Sequence, residues 1–226
     1  MTEEPATFDR AAAVTRSLLG WGVVAGPFYV VVGLTLALTR PGFDLLEHPL
    51  SLLMLGGHGW MQRVNLVLSA VMVLAAAVGV LRTIRDGRGL AIGGLTGLYG
   101  ACLALSAAFA PDPVDGFPAG PASDTVSTSG VLHIVAGALG FVGLAAAAFA
   151  YARWAAARRE VTQVGIGVAC GAVVLVGFIG GAALAESAAG VALLWLAVLA
   201  GWAWLALASA RLYGVVPHPV IGQRSA

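Results

Sequence analysis

Six long apolar runs, none interrupted by a charged side chain, constrain this 226-residue chain more than any other feature. They cover residues 17–39, 64–81, 89–110, 134–152, 161–185 and 187–210. A bilayer core about 30 Å thick needs about 20 mostly apolar residues per helix. The second and fourth runs are the shortest and are expected to extend outward past Arg63 and His133. Glu186-Ser187 divides what would otherwise be one run of nearly fifty residues, and Ser187 is suited to cap the sixth helix. The expected fold class is all-α: a polytopic membrane protein with six transmembrane helices in one bundle. Hydrophobic residues make up 59% of the chain and charged ones 10%, against about 45–50% and 25% in soluble domains. No soluble fold has enough interior for that apolar surface. A soluble enzyme, a disordered tail and a nucleic-acid binder are excluded, and a net charge of +1 offers no basic surface to a polyanion.

Arginine placement sets the expected topology, because cytoplasmic loops carry the excess of basic residues. All twelve basic residues are arginine. Arg10 and Arg16 precede span 1, and Arg82, Arg85 and Arg88 fill the turn between spans 2 and 3. Arg153, Arg158 and Arg159 lie between spans 4 and 5, and Arg211 and Arg224 follow span 6. Only Arg40 and Arg63 fall on the opposite side. Both termini are therefore expected in the cytoplasm, with residues 1–16 and 213–226 as tails around a membrane domain of 17–212. Span 1 reads as a signal anchor, being too long for the apolar core of a cleavable signal. The absence of lysine and the abundance of alanine and glycine fit a high-GC coding sequence.

Glycines in spans 3 and 5 recur at helix-packing intervals. Gly93, Gly97 and Gly100 share part of one face, and Gly167/Gly171 and Gly177/Gly181 form two G-x-x-x-G pairs. Small residues let helices approach closely where lipid supplies no hydrophobic drive. Packing within the bundle is the first expectation and a homo-oligomer face through span 3 or 5 the second. Pro27 is placed to kink span 1. Trp21, Trp60 and Trp154 read as interfacial anchors, and Cys102 and Cys170 as small buried hydrophobes.

The residues able to do chemistry collect in the two long connections on the arginine-poor side. The first, residues 40–60, carries Arg40, Asp44, Glu47, His48, Ser51 and His58. Its 49–55 piece suits a short helix opened by proline and closed by Gly56, lying in the interface or tucked into the bundle. The second, residues 111–130, is long for a loop without structure of its own. Asp112 and His133 bracket it at the ends of spans 3 and 4, so antiparallel neighbours would bring the carboxylate and imidazole together.

Several short motifs in order resemble a known family. Gly26-Pro27, then Arg40-Pro41-Gly42-Phe43-Asp44, then Ser51-x-Leu53 and Gly59-Trp60-x-Gln62 are similar to the membrane family called domain of unknown function 998. Pro111-Asp112 and Gly130-Val-Leu-His133 continue the pattern, which covers residues 18 to 212. The resemblance implies a six-helix bacterial or archaeal membrane protein, carries no agreed activity, and marks Ser51, Asp112 and His133 as the polar positions to watch. Leu52 departs from it, standing where the family often has a polar or acidic residue. The Ser–Asp–His order is also faintly similar to transmembrane hydrolases of the alkaline ceramidase and adiponectin-receptor type. Those combine a serine, an aspartate and three histidines around zinc, and this chain lacks their H-x-x-x-H pair in a last helix.

The plain reading of His133 is an interfacial hydrogen-bonder; the sharper one is a ligand or general base, since ionisable groups inside membranes are expensive and tend to be functional. Zinc needs three or four ligands, which His133, Asp112, His48 or His58, and Asp115 could supply if both connections fold together. Ser51 reads first as a packing serine, for no G-x-S-x-G elbow surrounds it. Arg40 and Arg63 are expected to pair with Asp44, Glu47 or Asp112, or else to clamp an anionic lipid headgroup, with Asp44 at the same site. Asp124 and Glu186 read as solvated loop charges, and His218 has no evident partner. The expected function is binding of a lipid or amphiphile headgroup in an extracytoplasmic polar cleft. The alternatives are a metal-assisted hydrolase of a lipid ester or amide, using Ser51, Asp112 and His133, and a structural scaffold for envelope proteins. Transport ranks last, because no charge lies deep in a span.

Overall fold

A computed structural model describes residues 7–114, 117–119, 125–185 and 187–221. Asp115, Asp124, Glu186 and Arg224 lie outside the described residues. Six helices are long and apolar enough to cross a membrane: α1 Arg10–Thr39, α2 Gly59–Thr83, α3 Gly87–Ala108, α4 Thr128–Ala157, α5 Val161–Ala183 and α6 Ala188–Val215. Each start is fixed by local chemistry where a side chain takes up orphan amides. Asp9 accepts from Ala12 N, Asp86 from Arg88 N and Gly89 N, Ser127 from Gly130 N, and Ser187 from Gly190 N.

Helix ends and apolar-run ends differ most at α1, which starts at Arg10 rather than at residue 17. A helix begins at its cap, not at the edge of the lipid. The extra turns are held to neighbouring elements by arginines, one from α2 and one of α1 itself. Arg82 Nε donates to Thr15 Oγ1 at 2.9 Å, and Arg16 Nη1 donates to the Val216 carbonyl at 3.0 Å while stacking on the Tyr213 ring.

The helices form a ring in chain order, each packed against the one before and the one after, and α6 closes the ring on α1. α6 also touches α2 and α4, so it leans toward the centre. An even number of spans brings both ends of the chain to one face, called here the termini face. There β1, Thr7–Phe8, pairs antiparallel with β2, Val220–Ile221, and Asp9 N donates to the Pro219 carbonyl at 2.7 Å.

The glycines serve packing inside the bundle. A Cβ on Gly93 or Gly100 would strike Leu81 or Leu74 of α2; on Gly167 or Gly171 it would strike Ala148 and Ala152 or Phe149 of α4; on Gly177 or Gly181, Leu193 and Ala197 or Leu194 of α6. Span 5 therefore divides its two pairs, one toward each neighbour.

At the termini face Glu160 bridges α4, α5 and α6. Its carboxylate meets Arg158 Nε at 3.1 Å and Arg211 Nη2 at 2.8 Å, and Arg211 Nε donates a second bond at 2.9 Å. The Arg211 guanidinium, with Arg158 behind it, holds the Glu160 carboxyl below the usual glutamate range. Trp154, expected at the lipid boundary, is instead buried at 4% exposure, stacked on Tyr151 and covered by Arg158. Trp21 and Trp60 are exposed as anchors should be.

Candidate functional site

At the far face, opposite the termini, the first connection folds back onto the bundle. Its short 3₁₀ helix, Leu50–Met54, is opened by Pro49 and buries Leu50, Leu52, Leu53 and Met54. Burial of Leu52 explains an apolar residue at that position. Gly56 ends this segment at φ +71°, a conformation costly for any residue with a Cβ. Arg40 then reaches across from the end of α1 and donates to the Leu55 carbonyl, with its guanidinium carbon 5.4 Å from the centre of the Phe117 ring.

The two far-face connections meet through aromatic rings. Phe43 and His48 from the first flank the buried Phe117 of the second, at centroid distances of 5.2 and 5.4 Å. His48 is buried, and its Nδ1 accepts from Asp44 N at 2.9 Å. That bond commits the ring to the tautomer protonated at Nε2. Asp44 is exposed and accepts from Leu46 N at 2.7 Å, while His58 is exposed at the N-cap of α2.

Asp112 and His133 both stand at the junction of α3 and α4, on different partners. The Asp112 carboxylate accepts from Ser127 N at 3.0 Å. His133 Nδ1 lies 2.9 Å from the Phe109 carbonyl and 3.3 Å from that of Ser106. Ser129 Oγ donates to the Ala110 carbonyl at 2.8 Å. The junction is reciprocal: α4 side chains take up carbonyls at and just past the end of α3, and Asp112, four residues beyond α3, takes up the amide of Ser127, the cap of α4.

The expected ion pairs of Arg40 and Arg63 do not form. Among the described residues neither guanidinium meets a carboxylate; Arg63 Nη1 reaches the Ala107 carbonyl at 3.4 Å. The reason is spatial: Asp112 is bonded to the amide of Ser127 and Asp44 to that of Leu46 in its own turn. Each arginine is half-buried with donors to spare. Among the described residues no three His, Cys, Asp or Glu side chains gather as a metal would require.

Behind this face the ring of helices forms a partly open cavity of about 390 Å³, a size at which small-molecule sites occur (about 300–1,000 Å³). Ser51 and His133 line it near the far face; Asp112, Arg40 and Arg63 do not. Its deeper wall is made by Tyr29 of α1, Gln62 of α2, Tyr99 of α3 and Trp202 of α6. Gly26 carries the approach that builds this wall, because a Cβ there would lie 2.8 Å from the Trp202 Cβ.

Neutral polar residues supply the part of the site that a search for charges passes over. Gln62, Asn65 and Ser69 lie on one face of α2 at i, i+3 and i+7, all fully or almost fully buried. Asn65 Nδ2 donates to Gln62 Oε1 at 3.1 Å and to the Tyr29 carbonyl at 3.2 Å. Trp202 Nε1 is buried without a partner among the described residues, while the Gln62 amide adjoins the Tyr29 hydroxyl. An unpaired buried donor costs about 1–3 kcal/mol, so the Trp202 indole nitrogen is conspicuous on a residue that lines a cavity. The helical spacing of Gln62, Asn65 and Ser69 was the signal available in the sequence.

A family model described as "Protein of unknown function (DUF998)" matches residues 23–211, from within α1 to the last turns of α6. No curated protein and no solved structure matches the chain.

Proposed function

The chain belongs to the DUF998 family, and from that membership and the cavity we propose that this multi-pass membrane protein binds a lipid-soluble amphiphile without transforming it. One observation carries the reading: a partly open cavity of about 390 Å³ with mainly apolar walls and a few buried polar groups. Ligand sites have this make-up, with apolar contact for affinity and a few polar atoms for orientation. The arginine count supports placing the far face outside the cell and both termini in the cytoplasm, and the family resemblance supports a bacterium or archaeon as the source. On that placement the cavity opens in the outer-leaflet half of the bundle. Arg40 and Arg63, with donors unused by any carboxylate, would meet anionic headgroups at the surface rather than in the cavity.

The test is native mass spectrometry of protein released from mild detergent without chelator. The expected result is a stoichiometric amphiphile retained by the unaltered protein and lost from Gly137→Phe. Gly137 lines the cavity and has open space where its side chain would project. Retention unaffected by that substitution overturns the reading.

The hydrolase alternative draws support from one observation, that Ser51 and His133 line the same cavity. Against it, His133 is committed through Nδ1 to the Phe109 carbonyl and Asp112 to the amide of Ser127. Turnover of lipid esters or amides that vanishes in His133→Ala and Ser51→Ala, with the bound amphiphile still retained, would favour it over simple binding.

A further inference from the structure

Resting on the binding reading above, we propose that the cavity takes a neutral, planar, carbonyl-bearing lipid of the prenylated-quinone class, which enters between α4 and α5 in the far-face half of the bundle.

Charge comes first. Among the described residues no aspartate, glutamate or arginine lines the cavity, and His133 is the one imidazole there. A phosphate or carboxylate drawn inside would lack a cationic partner in a medium that penalises bare charge. The occupant's polar end is therefore uncharged.

The wall selects a flat ring. Phe178 and Phe141 stack at 4.9 Å and 18°, and Tyr99 follows at 6.5 Å from Phe141. Trp202 lies 5.7 Å from Tyr99, and Tyr29 lies 5.2 Å from Trp202. Five rings thus run from the α4–α5 side to the deep wall, all of them lining the cavity. Aromatic faces and edges favour another ring in offset or edge contact over a saturated chain.

The deep wall asks for an acceptor. Trp202 Nε1 is a donor without a partner among the described residues, on a side chain that is 4% exposed. A carbonyl oxygen accepts and brings no hydrogen of its own, so it answers that donor without creating a new unpaired group. A hydroxyl in its place would bring a further donor to satisfy.

Entry follows from how α4 and α5 meet. In the termini half they are closely packed, Gly167 against Ala148 and Ala152 and Gly171 against Phe149. The stacked Phe141–Phe178 pair bridges them midway. Beyond it, Ile134 of α4 and Ala182 and Ala185 at the end of α5 line the cavity while also being exposed on the bundle's outer surface. A prenyl tail would lie out through this gap into the lipid.

The experiment titrates the purified full chain with three probes: a short-chain prenyl naphthoquinone, the naphthalene lacking both oxygens but keeping the same tail, and palmitic acid. Stoichiometry and occupancy are read by native mass spectrometry. The quinone is expected to bind one to one and about tenfold more tightly than its deoxygenated analogue. Trp202→Phe, which keeps an aromatic ring and removes the donor, should weaken the quinone about three- to tenfold and leave the analogue unchanged. Gly137→Phe should exclude both, and thermal unfolding confirms that each variant is folded. Equal affinity for quinone and analogue, or no response to Trp202→Phe, overturns the ligand class. Palmitate held in the cavity and displaced by Gly137→Phe, with no quinone bound, also overturns the class and leaves the amphiphile reading standing. If no probe responds to Gly137→Phe, both fail.

Discussion

His133 donates its Nδ1–H to the carbonyl oxygen of Phe109 across 2.9 Å, tying the second turn of α4 to the residue that ends α3. A carbonyl can only accept, so the proton must sit on Nδ1 and the free nitrogen is Nε2. The histidine that sequence reasoning ranks first as a metal ligand or base thus has a structural partner already. His133→Ala should lower stability by about 0.5–2 kcal/mol, the range for hydrogen bonds between membrane helices and for buried bonds generally. Thermal unfolding in detergent measures it, and His133→Asn, which keeps a donor, should recover part of the loss.

Asp112 separates capping from metal chemistry. Its carboxylate accepts from Ser127 N, the residue that caps α4. Asp112→Ala is expected to cost about 1 kcal/mol, whereas Asp112→Asn, which keeps an acceptor oxygen, should cost much less. Unfolding midpoints of the two variants give the comparison. Equal damage from both would point to a role for the charge itself.

Glu160 gives the termini face a pH dependence with a definite sign. Its folded carboxyl sits below the usual range because of Arg211, so between the folded and unfolded values the unfolded chain binds more protons. The stabilisation is present above the ordinary glutamate value of about 4.3 and fades as pH falls through the folded one. A melting temperature followed from neutral pH downward should fall in that window. The fall should shrink in Arg211→Gln.

Arg40 holds the first connection down by the Leu55 carbonyl and the Phe117 ring. Arg40→Ala should leave the six spans intact and release residues 50–56, seen as faster amide exchange there than in α2. Arg63, with its single long bond to the Ala107 carbonyl, is the better site for testing anionic lipid. Arg63→Gln should reduce co-purifying anionic lipid with little change in amide exchange.

Two glycines two residues apart on α1 should behave oppositely. A Cβ on Gly22 would collide with Ser209 of α6 and Ala76 of α2, whereas one on Gly20 meets open space. Gly22→Val should destabilise by about 1–3 kcal/mol through overpacking. Gly20→Ala should be neutral or gain about 0.5–1 kcal/mol from helix propensity. Thermal unfolding of the pair is the check.

Much of the architecture was legible because a bilayer imposes few solutions. Runs of apolar residues dictate spans, Ser187 caps α6, and Pro49 and Gly56 delimit the short 3₁₀ segment as their chemistry requires. The start of α1 was missed by seven residues, because Asp9 and the cations around Thr15 and Arg16 extend a helix beyond its apolar stretch. The candidate site was read only in part. Ser51 and His133 do line the cavity, whereas the charged Arg40, Arg63 and Asp112 lie outside it. The deep wall is neutral. Tyr29, Tyr99 and Trp202 look like ordinary membrane residues until the ring closes and brings helices distant in sequence to one space. That meeting of α1, α3 and α6 is a tertiary fact with no local periodicity to announce it.

Because each helix packs mainly on the one before and the one after, the order around the ring is the order of synthesis. No span has to wedge between two already docked. Every hairpin can pack as it leaves the ribosome, and one joint, α6 to α1, must wait for the last span. The compartment in the middle therefore has no fourth wall until synthesis is finished. Up to that moment its contents can exchange freely with the surrounding lipid.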